Sequence, residues 1–328
     1  MNIEFKPAGP VRPLGKFEDP DITAKGEPRA RVPLTSLETL WINTGTLCNI
    51  QCVNCYIESS PTNDRLVYFS ASDARDLFDE IDANQLGTRE IGFTGGEPFM
   101  NPDMLAMLDE ALSRGFEVLV LTNAMQPMMR PGIQTGLIAL NEKYGRQLTL
   151  RVSLDHFTKE LHETERGKAT WDRAIAGLDW LAKTGIRTAI AGRTCWNETD
   201  AVSRAGFAEL IVSRGWAVDP EARDQLVLLP EMDGGHDVPE ITTACWKILG
   251  KRPSEMMCAT SRMVVKRKGD DAPTVLPCTL LPYDDDFSMG QTLTEASSTD
   301  GGMFAKGAVK LCHSNCAKFC VLGGGTCS

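Results

Sequence analysis

Gly45 to Ser60 reads GTLCNIQCVNCYIESS, and places Cys48, Cys52 and Cys55 in a C-x3-C-x2-C spacing with one charged residue, Glu58. A tetrahedral structural zinc site asks for four ligands, usually as two close pairs, and this loop has three thiols and no nearby histidine. Three thiolates on one short loop suit a cubane iron-sulfur cluster, in which each holds one corner iron and the fourth iron is left for another ligand. A zinc loop completed from elsewhere in the chain is the alternative.

Outward from this loop the chain alternates. Leu37 to Gly45 is a strand candidate that delivers the loop at its C-terminal end. Ser70 is a plausible N-cap for an amphipathic helix that should stop at Gly87. Strand Arg89–Gly96, helix Asn101–Gly115, strand Phe116–Asn123, helix Ile133–Tyr144 and strand Gln147–Asp155 follow. Helix Ala169–Gly185, strand Ile186–Thr194, helix Asp200–Gly215 and strand Asp224–Glu231 complete the run. Six strands alternating with five helices argue a parallel sheet with right-handed crossovers. The unusual residues gather at strand ends, which favours an α/β fold of the partial (β/α)6, TIM-like barrel type, with its chemistry at the C-terminal ends of the strands. Those ends carry the cysteine loop, Thr94-Gly95-Gly96-Glu97-Pro98, Thr122-Asn123, Ser153-Leu154-Asp155, Arg193-Thr194-Cys195 and Pro230-Glu231.

Residues 1–37, rich in Pro, Gly and charge, read as an extended arm laid over the surface; 38–235 form the barrel; 236–328 form a small cysteine-rich domain. That last stretch has short segments and many turns, and six of the eleven cysteines, at 258, 278, 312, 316, 320 and 327. It is expected to be held together by metal more than by a core. Eleven is an odd number for a disulfide framework, and metal or redox chemistry explains it better.

With 34 basic residues against 44 acidic ones, a net charge of -10 and no basic run, nucleic acid is excluded as an expected partner. No stretch approaches the roughly 20 apolar residues of a membrane span. The Pro-broken start has no apolar signal-peptide core. The expectation is a cytoplasmic protein with no membrane partner.

The motif FTGGEP, Phe93 to Pro98, follows one strand and one helix after the cysteine loop. Two consecutive glycines at a strand end allow close backbone approach, and the glutamate offers a carboxylate to a cationic group. Together the two motifs resemble the radical S-adenosylmethionine (radical SAM) superfamily, over most of residues 41–230. The resemblance implies a partial (β/α)6 barrel in which Cys48, Cys52 and Cys55 ligate a [4Fe-4S] cluster, with S-adenosylmethionine on its open iron. It further implies that Gly95, Gly96 and Glu97 hold the methionine amino group, and that Ser153 and Asp155 lie near the ribose and methionine. Arg193 is a candidate carboxylate partner, and Asn123 at the end of the third strand is a cofactor-site candidate. A helix-capping turn is the other reading of Ser153-Leu154-Asp155. The chain departs from the family at Asn54, where many members carry an aromatic; here the aromatic follows as Tyr56, the candidate for that cofactor contact. His156 and His162 read as structural or surface residues.

The C-terminal thiols resemble the SPASM and twitch extensions of the superfamily, which bind auxiliary [4Fe-4S] clusters, although the gaps differ from the SPASM pattern of seven cysteines. One auxiliary cluster, or two, would draw on Cys258, Cys278, Cys312, Cys316, Cys320 and Cys327. Cys258 and Cys278 are expected to form a pair completed by two of Cys312, Cys316 and Cys320, with a structural zinc as the alternative.

The implied activity is reductive cleavage of S-adenosylmethionine to a 5'-deoxyadenosyl radical, followed by hydrogen abstraction from a substrate carbon. Net oxidation or cross-linking of a small metabolite is the leading expectation, because an arm of 37 residues is short for a peptide-recognition domain; a ribosomal peptide is the alternative. Flavodoxin or ferredoxin would serve as external electron donor. Cys195, alone at a strand end, is a catalytic candidate as hydrogen donor, or else a small core residue. A non-catalytic iron-sulfur redox protein and a zinc-stapled binding protein are the rival classes.

Overall fold

A computed structural model describes residues 15–230, 237–301 and 305–324. The chain first forms a two-residue strand, β1 (Arg31–Val32), then enters the main sheet at β2 (Thr39–Asn43). Five strand-helix repeats follow: α1 (Ala71–Asn84) to β3 (Glu90–Thr94), α2 (Met104–Ser113) to β4 (Glu117–Thr122), and α3 (Pro131–Tyr144) to β5 (Leu148–Ser153). Then come α4 (Lys159–Arg166), α5 (Trp171–Thr184) and β6 (Arg187–Arg193), and α6 (Asp200–Arg214) leading to β7 (Leu226–Leu229). These six strands pair in parallel, in sequence order, as the alternation predicts.

Both faces of this sheet are covered. Leu40, Ile42, Ile91, Phe93, Val118 and Val120 share a core with helix residues such as Leu77, Phe78 and Leu108. The alternate positions face the concave side, where Trp41, Leu119 and Met263 form a separate apolar cluster. Gly92 sits between Trp41 and Leu119 in the strand register, and a Cβ there would fall 2.4 Å from the Trp41 ring. The glycine makes room for the indole inside the barrel.

Ser70 caps α1 through a reciprocal box with Asp73, as its sequence suggests, but the helix ends at Asn84 rather than Gly87. Gln85 takes the left-handed turn itself, with φ of 51°. Helix α4 is absent from the sequence reading, which places Arg166 before a helix; the structure places it in the last turn of one. Its eight residues are too few and too polar to show a clear apolar face, and Glu160 and Arg166 sit at the ends where they complement the helix dipole.

The sheet continues past residue 235. Strand β8 (Ser261–Val265) pairs in parallel with β2, and β9 (Thr274–Leu276) runs antiparallel to β8, so eight strands lie in one sheet. Val264, Val275, Phe287, Met289 and Leu293 join the same core as the barrel helices. The expectation of a C-terminal region held mainly by metal is thereby corrected: it has buried apolar side chains and borrows an edge of the barrel sheet.

The N-terminal arm is also more than a surface strap. Ala30 and Val32 are fully buried, and β1 pairs antiparallel with β10 (Val309–Lys310). Arg29 donates to the carbonyls of Asp19, Ile22 and Leu311 at 2.8, 3.0 and 3.2 Å and pairs with Glu240 at 2.5 Å.

Candidate functional site

The C-terminal ends of the six parallel strands open onto one cavity. Cys48, Cys52, Cys55 and Tyr56 line it from the loop after β2, Gly95 and Gly96 from the turn after β3, and Asn123 from the end of β4. Ser153, Asp155 and Arg193 line it from β5 and β6. The opposite wall is apolar, with Leu121, Val227, Leu229, Pro230, Leu280 and Phe319.

The cysteine loop is held at each end by backbone. Cys48 N donates to Ser60 O at 3.0 Å, and Val53 N donates to Glu165 O at 2.8 Å. The glycine pair explains its own position. Gly96 N donates to Gly45 O and Glu97 N to Leu47 O, and a Cβ on Gly96 would fall 2.2 Å from Leu47 O. Gly95 has φ of 142°, and a Cβ there would lie 2.6 Å from Gly45 O. Glycine is thus required for the two loops to touch backbone to backbone, and both glycines line the cavity.

Glu97 does not line the cavity. It is 2% exposed and accepts from Thr122 Oγ1 at 2.8 Å, Asn123 N at 2.9 Å and Phe99 N at 3.3 Å. Burial pushes its carboxyl up to about 7 against those three donors. Asn123, fixed by this contact, directs its Nδ2 to Asn49 Oδ1 at 2.8 Å and toward Cys48 Sγ at 3.9 Å.

Two ion pairs frame the cysteine loop. Both Asp155 oxygens are taken by Arg166, at 2.8 and 2.9 Å, and Arg193 lies 3.5 Å from Glu165. Glu165 also accepts from Asn54 Nδ2 at 3.1 Å, so the residue that departs from the family's aromatic ties the loop to α4. Burial opposes the Arg166 charge, but Asp155 and the Cys52 thiol hold its pKa above the ordinary value. Arg166, Arg151 and Glu165 are site residues that the sequence reading missed.

The three thiols suit a cationic group. Burial, followed by Glu97, Cys52 and Cys55, pushes the Cys48 thiol up to about 12, and burial likewise raises Cys52. Forming thiolates here therefore requires positive charge between them, which iron supplies. Among the described residues no three His, Cys, Asp or Glu side chains converge as a single-ion site.

A second, smaller and wholly apolar cavity is lined by Cys258, Cys278, Cys316 and Cys320. Cys316 and Cys320 lie one turn apart on a π-helical segment, Cys316–Leu322. Burial pushes Cys258 up to about 11 and Cys316 up to about 12, and Cys278 well above the ordinary thiol value, with Cys320 and Cys316 adding to the last. Four thiols around one apolar space are a complete ligand set for a [4Fe-4S] cluster. Cys312 is elsewhere: its Sγ lies 3.1 Å from Phe17 O and 3.4 Å from Asp19 O, so this thiol fastens the N-terminal arm. Cys327 lies outside the described residues. Cys195 does not line the barrel cavity, although it follows β6 directly. His156, bonded to Thr158 Oγ1 at 2.9 Å and Glu198 at 3.2 Å, and the fully buried His162 also lie away from it. Among the described residues no helix is long and apolar enough to cross a membrane.

A family model described as the radical SAM superfamily matches residues 42–200. Mycofactocin maturase MftC of Mycobacterium tuberculosis is 30% identical over 139 residues, 42% of this chain and 33% of that protein. Antilisterial bacteriocin subtilosin biosynthesis protein AlbA of Bacillus subtilis is 26% identical over 261 residues, 74% of this chain and 54% of that one. The chain thus spans about a third to a half of the length of these relatives. In fold, Streptococcus suis SuiB bound to S-adenosylmethionine superposes with a TM-score of 0.60 at 14% identity, covering 82% of this chain and 67% of that one. A further structure of SuiB holds the precursor peptide SuiA.

Proposed function

The chain belongs to the radical SAM superfamily through its domain at residues 42–200, and from that premise we propose that it is a radical SAM enzyme acting on a peptide. Cys48, Cys52 and Cys55 would hold the barrel [4Fe-4S] cluster, and S-adenosylmethionine would occupy the polar half of the cavity. When bound, these two supply a 5'-deoxyadenosyl radical that takes a hydrogen atom from a substrate carbon.

The chain's own residues position and exclude. In this reading the Gly95-Gly96 turn would face the methionine amino group, Arg193 its carboxylate, Ser153 the ribose and the Tyr56 ring adenine. Asp155 acts through Arg166, whose guanidinium it orients toward the cavity. Glu97 acts through Asn123, which it holds against the cysteine loop. The apolar wall from Leu121 to Phe319 keeps water from the substrate carbon.

Cys258, Cys278, Cys316 and Cys320 would hold one auxiliary [4Fe-4S] cluster, which supplies an acceptor for the second electron of an oxidation or cross-link. Leu280 lines both cavities, so the barrel cavity and the one bearing these thiols share a lining residue. The peptide reading draws on a relative named for bacteriocin biosynthesis and another named as a maturase. A small metabolite is the second reading. A flavodoxin- or ferredoxin-type donor and a cytoplasmic location complete the proposal.

The observation that carries it is the convergence of three cysteines, two glycines and four further strand ends on one cavity. After anaerobic reconstitution, dithionite and S-adenosylmethionine should yield 5'-deoxyadenosine, and the Cys48→Ala/Cys52→Ala/Cys55→Ala protein should yield none while keeping the auxiliary iron. Cleavage that persists in the triple variant overturns the assignment.

A further inference from the structure

Arg262, on β8, is 1% exposed and among the largest fully buried side chains. Its Nη1 donates to Cys258 O at 2.7 Å and Ser261 O at 2.8 Å, and its Nη2 to Gly307 O at 2.6 Å. Every one of these acceptors is a neutral carbonyl. The buried Nε has no acceptor among the described residues.

Three other arginines with little exposure each meet a carboxylate. Arg29 pairs with Glu240, Arg166 with Asp155 and Arg204 with Asp200. Among the described residues no Asp or Glu forms an ion pair with Arg262, and the ionisable group that bears on its charge is the Cys258 thiol. A guanidinium taken out of water without an anion is strongly disfavoured. Burial lowers its pKa to about 10, and the Cys258 thiol works in the opposite direction.

The missing anion has a natural place. Cys258 is one of four thiols around the apolar cavity; no charged side chain lines that cavity, and Arg262 reaches it through the Cys258 carbonyl. Thiolates holding an iron-sulfur core form an anionic group, which gains a further negative charge on reduction. A fixed positive charge nearby in a low-dielectric interior stabilises the more negative state.

We propose that Arg262 is the charge complement of the auxiliary cluster held by Cys258, Cys278, Cys316 and Cys320, and that it raises that cluster's reduction potential. The proposal rests on the auxiliary-cluster reading above. Arg262 is a positioning and tuning residue in this role, since its hydrogen bonds go to the backbone that carries Cys258. The redox event is uptake of one electron by the cluster, supplied in the test by dithionite, which is oxidised.

The test uses the full chain with Cys48, Cys52 and Cys55 changed to Ala, so that only the auxiliary cluster is present. Iron is counted after reconstitution, and the midpoint is read by a mediated redox titration followed by electron paramagnetic resonance. Arg262→Gln should lower the reduced-to-oxidised ratio at a fixed potential about tenfold, a shift of about 59 mV for one electron. Arg262→Lys, which keeps the charge, should stay near the unsubstituted value. Full iron with an unchanged midpoint in Arg262→Gln overturns the proposal and leaves Arg262 as a clamp on carbonyls. Should Arg262→Gln take up no iron while Arg262→Lys takes up the full amount, the charge is needed for assembly and the proposal stands. Loss of iron in both variants overturns it in favour of a packing role. A parent protein without auxiliary iron fails at the earlier step, and that result removes the cluster reading itself.

Discussion

The two thiol districts of this protein are built on opposite principles. At the barrel mouth three cysteines share a cavity with Asp155, Arg151, Arg166 and Arg193, and the loop that bears them is tied to charged residues of α4. In the C-terminal region four cysteines face an apolar space, and the nearby cation, Arg262, is spent on backbone carbonyls. Three ligands with polar surroundings leave a corner for a charged cosubstrate. Four ligands in an apolar enclosure leave no corner, and suit electron transfer or structure instead. The number of thiols and the polarity of the wall therefore divide binding from storage of charge.

The sharpest way to break this comparison is at the ligands. Cys278→Ala should remove about four irons and abolish product while 5'-deoxyadenosine still forms slowly, because cosubstrate cleavage needs only the barrel site. Cys312→Ser should leave the iron count unchanged, since that thiol contacts the arm and not the cavity. Equal iron loss in the two variants would erase the distinction between them.

A smaller effect belongs to Glu97. Its folded carboxyl is raised from an ordinary 4.5 to about 7 by burial. The folded state therefore binds the proton more tightly than the unfolded one, and stability contributed by the protonated form is present below about 4.5 and lost as pH rises through about 7. Glu97→Gln removes this dependence. The stability of the metal-free variant relative to the parent should thus improve by up to about 3 kcal/mol between pH 4.5 and 7.5, at about 1.4 kcal/mol per pH unit. Thermal melts across that range would read it, and a difference that stays constant with pH contradicts the buried, raised carboxyl.

The least effect is expected in the barrel interior, at Gly92, which lines neither cavity. Gly92→Ala would press a methyl group into the Trp41 ring and should cost about 1 to 3 kcal/mol by overpacking. Iron content of the refolded protein should be normal. An unaltered melting temperature would mean that the indole shifts freely, and that the interior is looser than its burial implies.

How much of this was legible in the sequence follows from the range of each interaction. The C-x3-C-x2-C loop, the glycine pair, the Ser70 cap and the six parallel strands are local patterns, each contained within a few residues or one period of a helix or strand. Their physical causes lie beside them in the chain. The assignment of Cys312 to the arm and of Cys258, Cys278, Cys316 and Cys320 to one cavity has no local signal, because spacing alone does not say which of several thiols face each other. The pairing of β8 with β2 joins segments more than 200 residues apart and depends on an open sheet edge that exists only once the barrel has formed. Likewise Glu97 looks in the sequence like a ligand for a cation, and only packing decides that its carboxylate turns to Thr122 and Asn123, where three donors offset part of its burial. Local patterns along the chain point to the chemistry and to the frame that carries it, whereas which candidate side chains face the cavities is settled by packing between distant parts of the chain.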